Sequence, residues 1–127
     1  MANRYVLDTS AWIEYFGSTV KGAKIKVLVE NQLVATSIMA IAEWADKCTK
    51  EEWDVLPGLG FIQKRAEIIP VNLAISLKAA ELKKKVRSQR SKFGLVDGIH
   101  LATTQQENAV LVTCDQDFKG IEGVMLI

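Results

Sequence analysis

Short apolar runs alternate with helical stretches along the whole chain, and that alternation limits the fold more than any other feature. Residues 4 to 7 (Arg-Tyr-Val-Leu), 33 to 36 (Leu-Val-Ala-Thr), 66 to 69 (Ala-Glu-Ile-Ile), 110 to 113 (Val-Leu-Val-Thr) and 124 to 127 (Val-Met-Leu-Ile) read as strands. Most are continuously apolar instead of alternating apolar with polar. Such strands are buried on both faces, and helices between them supply the cover. The expected fold is α/β, with a five-stranded parallel sheet between helical layers. A chain of 127 residues suffices for one domain over residues 1–127 with a real core.

Capping residues mark the helix starts. Asp8, Thr9 and Ser10 precede Ala11-Trp12-Ile13, Ser37 precedes a helix over 38–50, and Asn72 precedes a long one reaching about Gln89. A helix over 22–31 carries Ile25, Leu28 and Val29 on one face, and one over 95–107 is entered at Gly94. Residues 51–63 read as partly helical, broken around Pro57, Gly58 and Gly60.

Five acids stand out on this framework. Asp8 and Asp115 follow strands, Glu43 and Asp97 sit inside apolar helical stretches, and Asp117 opens a single helical turn over 117–119 just after Asp115. In a parallel sheet the ligand crevice lies at the carboxyl ends of the strands. A carboxylate in apolar surroundings is costly unless paired, hydrogen-bonded or metal-bound. Acids gathered there repel one another, and Mg²⁺ or Mn²⁺ would relieve the repulsion with hard oxygen ligands. Such an ion also lowers the pKa of a bound water and polarises a phosphoryl oxygen. Thr9, Ser10 and Thr113 could orient these carboxylates through their hydroxyls.

Each acid alone has an ordinary alternative. Asp8 can cap a helix, Glu43 can pair with Lys47, Asp97 can pair with His100 one turn on, and Asp115 and Asp117 can be turn residues. His100, the lone histidine, reads first as a packing residue. Trp12, Trp44 and Trp53 read as core or interface.

Net charge is +1 and is uninformative by itself, but Lys84, Lys85, Arg87, Arg90 and Lys92 cluster beyond a single nearby acid, Glu81. They form either a solvated helix face or a surface for RNA phosphates. Cys48 and Cys114 are unaccompanied by the spacing of a zinc site and read as buried free thiols of a reducing cytoplasm. No apolar stretch approaches the roughly 18 residues of a membrane span, and residues 1 to 8 lack the long apolar region of a signal peptide.

Taken in order, these segments resemble a known family. Asp8-Thr9-Ser10 after the first strand resembles the opening motif of PIN-domain ribonucleases, and Glu43 matches the second acid. Asp97-Gly98-Ile99-His100-Leu101-Ala102 and Thr113-Cys114-Asp115-Gln116-Asp117-Phe118 resemble the third and fourth motifs. Chain length and Ile69-Pro70 most resemble VapC-type toxins of VapBC toxin–antitoxin pairs. The resemblance implies a PIN-like three-layer α/β/α fold and Mg²⁺- or Mn²⁺-dependent endoribonuclease activity. It implies Asp8, Glu43, Asp97 and Asp115 as catalytic, metal-binding acids, with Asp117 as an accessory ligand. It further implies a homodimer held inactive by a small antitoxin whose tail enters the acidic cleft. The Trp12-Ile13-Tyr15-Phe16 segment would supply exposed apolar surface for such an interface. A housekeeping RNA-processing nuclease and a metal-binding regulatory module without turnover remain alternatives.

Overall fold

A computed structural model describes residues 4–127; residues 1–3, which open the stretch read above for a signal peptide, lie outside the described residues. The chain runs β1 (Arg4–Leu7), α1 (Thr9–Phe16), α2 (Val20–Asn31), β2 (Leu33–Ser37), α3 (Ile38–Lys50), α4 (Val55–Arg65), β3 (Ala66–Ile69), α5 (Leu73–Arg87), α6 (Leu95–Gln106), β4 (Val110–Thr113), a 3₁₀ turn (Gln116–Phe118) and β5 (Val124–Leu126). All four strand pairings are parallel and the strand order is β3-β2-β1-β4-β5. The expected five-stranded parallel α/β sheet is therefore present.

Strand periodicity divides the core into two halves. Val6, Ala35, Ile69 and Leu111 face α5 and α6 and pack with Ile75, Ala79, Leu82, Phe93 and Ile99. Leu7, Val34, Ala66 and Val112 face the other way, onto Ala11, Trp12, Ile25, Val29, Trp44 and Ile62. Successive strand residues point to opposite faces, so a run such as Tyr-Val-Leu feeds both layers. Each fully buried aliphatic side chain contributes about 1.5–3 kcal/mol.

The caps stand where the sequence places them. Asp8, Ser37 and Asn72 accept backbone N–H bonds from Ala11, Met39 and Ile75. Residues 51–63 differ from expectation. The helix α4 starts later, capped by Asp54, and runs unbroken through Pro57, Gly58 and Gly60. Pro57 falls in the first turn, where a backbone N–H has no partner within the helix and its absence is harmless.

Part of the Trp12-Ile13-Tyr15-Phe16 segment stays accessible and part is core. Trp12 is fully buried, Ile13, Tyr15 and Phe16 are half-buried, and Tyr15 and Phe16 pack against Phe61 and Trp44. Trp44 is likewise core, whereas Trp53 is 52% exposed. Cys48 is buried as expected and Cys114 only partly.

Sheet order determines where a site can form. From β1 the chain moves outward to β2 and β3, then returns across β1 to place β4 on its far side. The switch point is therefore the gap between β1 and β4, and its crevice opens at their carboxyl ends. The helices beneath are packed closely. A Cβ at Gly98 would lie 2.5 Å from the Ala79 carbonyl oxygen, so α5 and α6 meet only because position 98 has no side chain. Gly98→Ala should lower Tm by about 3 °C or more, although alanine favours helix by about 1 kcal/mol. A thermal melt with unchanged Tm would contradict that close approach.

Candidate active site at the carboxyl edge of the sheet

Asp8 leaves β1 at the switch point and is 3% exposed. Its Oδ1 accepts from Ser10 Oγ at 2.7 Å and from the Ala11 N–H at 3.0 Å; its Oδ2 accepts from Thr113 Oγ1 at the end of β4. Those hydroxyls also grip the chain beyond β4. Ser10 Oγ accepts from the Cys114 N–H at 2.9 Å, and Thr113 Oγ1 from the Asp115 N–H at 3.0 Å. A short network thus ties β1, α1 and the segment carrying Asp115. Burial raises the Asp8 carboxyl above its ordinary value, and bonds from Thr113, Ser10 and Ala11 offset only part of that rise.

Glu43 enters from α3 with its side chain 42% exposed. Its Oε1 accepts from Thr9 Oγ1 at 2.6 Å and lies 3.0 Å from His100 Nε2. Desolvation pushes its carboxyl up, but the His100 and Thr9 bonds and the His100 charge together hold the group below its usual value. His100 Nε2 faces a carboxylate oxygen, which only accepts, and so it donates to Glu43. The other ring nitrogen, Nδ1, is buried without a partner among the described residues, a burden of about 1–3 kcal/mol.

Asp97 stands in the first turn of α6, half-buried, and its Oδ2 accepts from the Gly94 N–H at 2.8 Å. Its carboxyl is raised, first by burial and further by the negative charges of Asp115 and Glu43, while the Gly94 bond opposes the shift. Asp115 follows β4, and its Oδ1 accepts from the Asp117 N–H at 2.9 Å. Asp117 is half-buried beside it.

These bonds leave a pattern. Glu43, Asp97 and Asp115 each commit one oxygen to a protein donor. No donor among the described residues reaches Glu43 Oε2, Asp97 Oδ1 or Asp115 Oδ2. Among the described residues no three His, Cys, Asp or Glu side chains are grouped so that they could hold a metal ion as they stand. The donor chemistry nevertheless fits a hard divalent cation. Mg²⁺ takes one or two carboxylates directly and keeps several waters, so an open arrangement of acids suits it.

Two pairings considered from the sequence are not formed. Lys47 bonds Glu51 at 3.1 Å and not Glu43, and His100 meets Glu43 and not Asp97. The His100–Glu43 contact is the functional contact the sequence reading missed, because it joins helices 57 positions apart. The basic cluster also divides. Arg87 Nε donates to the Phe93 carbonyl at 2.7 Å and Arg90 Nη2 to the Lys119 carbonyl at 2.6 Å, so both brace the loop that leads into α6. Lys84, Lys85 and Lys92 are exposed. Lys85, Arg90 and Lys119 line a cleft of about 690 Å³ that none of the five acids borders.

Asp8 gives a test with a defined sign. A carboxyl whose folded value is raised costs no stability below its unfolded value near 3.8, and the cost grows as pH rises through the folded value. Asn caps helices as well as Asp. Asp8→Asn should therefore melt at or above the wild-type Tm at pH 7, with the difference closing towards pH 3. A variant several degrees less stable at pH 7 would contradict a destabilising Asp8 charge.

Comparison with known proteins agrees with this fold. A family model described as PIN domain matches residues 5–124. Comparison with curated protein sequences finds no match. Among solved structures, the chain is similar to a toxin–antitoxin complex from Klebsiella pneumoniae at 24% identity, covering 95% of each chain with a TM-score of 0.76. It is similar to VapBC2 from Rickettsia felis, bound to a promoter DNA fragment, at 23% identity over 98% of this chain and 97% of that one, TM-score 0.73. Mycobacterium tuberculosis VapC20, a toxin that cleaves the sarcin–ricin loop, aligns at 17% identity over 93% and 95%, TM-score 0.72.

Proposed function

This chain belongs to the PIN domain family, and on that premise we propose that it is a Mg²⁺- or Mn²⁺-dependent endoribonuclease, the toxin of a toxin–antitoxin pair. One observation carries the reading. Three carboxylates at the switch point each keep one oxygen free of protein donors, and Asp97 is raised first by burial and further by the charges of Asp115 and Glu43. Free, mutually repelling oxygens are what a hard cation requires.

Asp8, Glu43, Asp97 and Asp115 would hold the ion, with Asp117 an accessory acid. When bound, it supplies a polarised phosphoryl oxygen and a more acidic water. Thr113 and Ser10 keep Asp8 oriented, and Thr9 keeps Glu43 oriented. Lys84, Lys85 and Lys92 would contact RNA phosphates; of the basic cluster, Arg87 and Arg90 would assist chiefly by bracing the loop that leads into α6. The toxin role rests on the similarity to a toxin–antitoxin complex and to a toxin that cleaves the sarcin–ricin loop. An antitoxin tail bearing Arg or Lys would fill the acidic cleft by charge-assisted bonds. A homodimer would use exposed apolar side chains such as Leu73 and Leu77, one turn apart on α5 and 77% and 64% exposed. No helix among the described residues is long and apolar enough to cross a membrane.

Incubation of the purified protein with RNA and Mn²⁺ tests the activity. Wild type should cleave, chelator should stop it, and Asp97→Asn or Asp115→Asn should lose roughly a hundredfold or more while staying folded. Full activity in both variants would refute the reading. Replacing Lys84, Lys85 and Lys92 together by Gln should flatten the salt dependence of single-stranded RNA binding by about 0.7 of a log unit per lost contact. An unchanged slope would return these lysines to a solvated face.

A further inference from the structure

The chain's single histidine is 3% exposed at its side chain and lies against an acid of the site. Its Nε2 meets the same Glu43 oxygen that Thr9 holds, at 3.0 and 2.6 Å. Those two donors come from different elements, α6 and α1, and the acid from a third, α3. A glutamate on a helix otherwise samples several rotamers about its flexible side-chain bonds. Two donors converging on one oxygen fix that oxygen. Because the carboxylate is planar, they also fix the direction of Oε2, which no donor among the described residues reaches.

The ring's other nitrogen shows what packing alone would not require. Nδ1 is buried and unpartnered. A leucine or phenylalanine would fill the same space without an orphaned polar atom. The imidazole delivers one N–H to Glu43 from within the core, a service no apolar residue performs. In metal sites, loss of a group that orients a ligand in this way costs about 10–100-fold in metal affinity.

We infer that His100 is a positioning residue which, with Thr9, locks Glu43 so that Oε2 faces the cation. This rests on the metal reading above. It concerns a residue that touches neither ion nor RNA and acts only through Glu43.

The test uses the purified full chain and Mn²⁺ alone, with affinity measured by titration calorimetry and folding by Tm. His100→Gln keeps an N–H donor at comparable reach and should bind Mn²⁺ within about threefold of wild type. His100→Asn is too short to reach Oε1 and should bind at least about tenfold more weakly. In a Glu43→Gln background, His100→Asn should cause no further loss, since the residue it positions is already disabled. If His100→Asn does not fold at the assay temperature, His100→Phe, which keeps ring volume and removes the donor, takes its place. Wild-type affinity in the folded Asn or Phe variant would overturn the inference. So would an equal loss in both backgrounds, which marks a general structural role. Glu43→Gln binding Mn²⁺ as well as wild type would instead refute Glu43 as a ligand, an outcome separable from the others.

Discussion

The carboxyl edge of this sheet depends on how one buried carboxylate is satisfied. Asp8 sits at the switch point with almost no solvent contact. Isolated there, its charge would cost several kcal/mol. Ser10, Ala11 and Thr113 offset that cost, and they come from both sides of the crevice. Satisfying Asp8 therefore docks α1 against the end of β4. Through the Cys114 and Asp115 N–H groups, it also positions the segment that presents Asp115. Removing either hydroxyl would leave the carboxylate short of a donor and loosen the edge.

The remaining acids are arranged by a different rule. Glu43, Asp97 and Asp115 are only partly buried, and each has one oxygen anchored and one free. Anchoring limits the conformations a ligand would lose on binding. Asp97 has a raised carboxyl there, first from burial and further from the charges of Asp115 and Glu43. Stability and function are set against each other here. The burial that raises Asp8 and Asp97, with the repulsion that raises Asp97 further, disfavours the folded protein near neutral pH, and a divalent ion would relieve the repulsion.

The fold was largely legible because its signals are local. Apolar runs too uniform for alternating strands, with Ser37 and Asn72 at the helix starts, determine a parallel sheet and its edges. The positions of Asp8 and Asp115 at that edge follow directly. The failures have physical causes. Pro57 reads as a break because a sequence does not reveal which turn of a helix it occupies. How much of the Trp12-to-Phe16 segment is core was not legible because its partners, Trp44 and Phe61, lie far along the chain. Arg87 and Arg90 read as free charges because their acceptors are backbone carbonyls, invisible to residue type. Thr9 and Thr113 were legible as orienting hydroxyls, but not which oxygen each would hold. Those bonds, like the His100–Glu43 contact, span 34, 105 and 57 positions and exist only after folding.

The central claim is that acids brought from four distant positions form one cation site at the β1–β4 switch point. A crystal structure of the protein grown with Mn²⁺, read by anomalous scattering, tests it most directly. An anomalous peak is expected at this edge, bonded to at least one of Glu43 Oε2, Asp97 Oδ1 and Asp115 Oδ2, with Asp8 beside it. A Mn²⁺ ion bound elsewhere while this edge stays empty would contradict it.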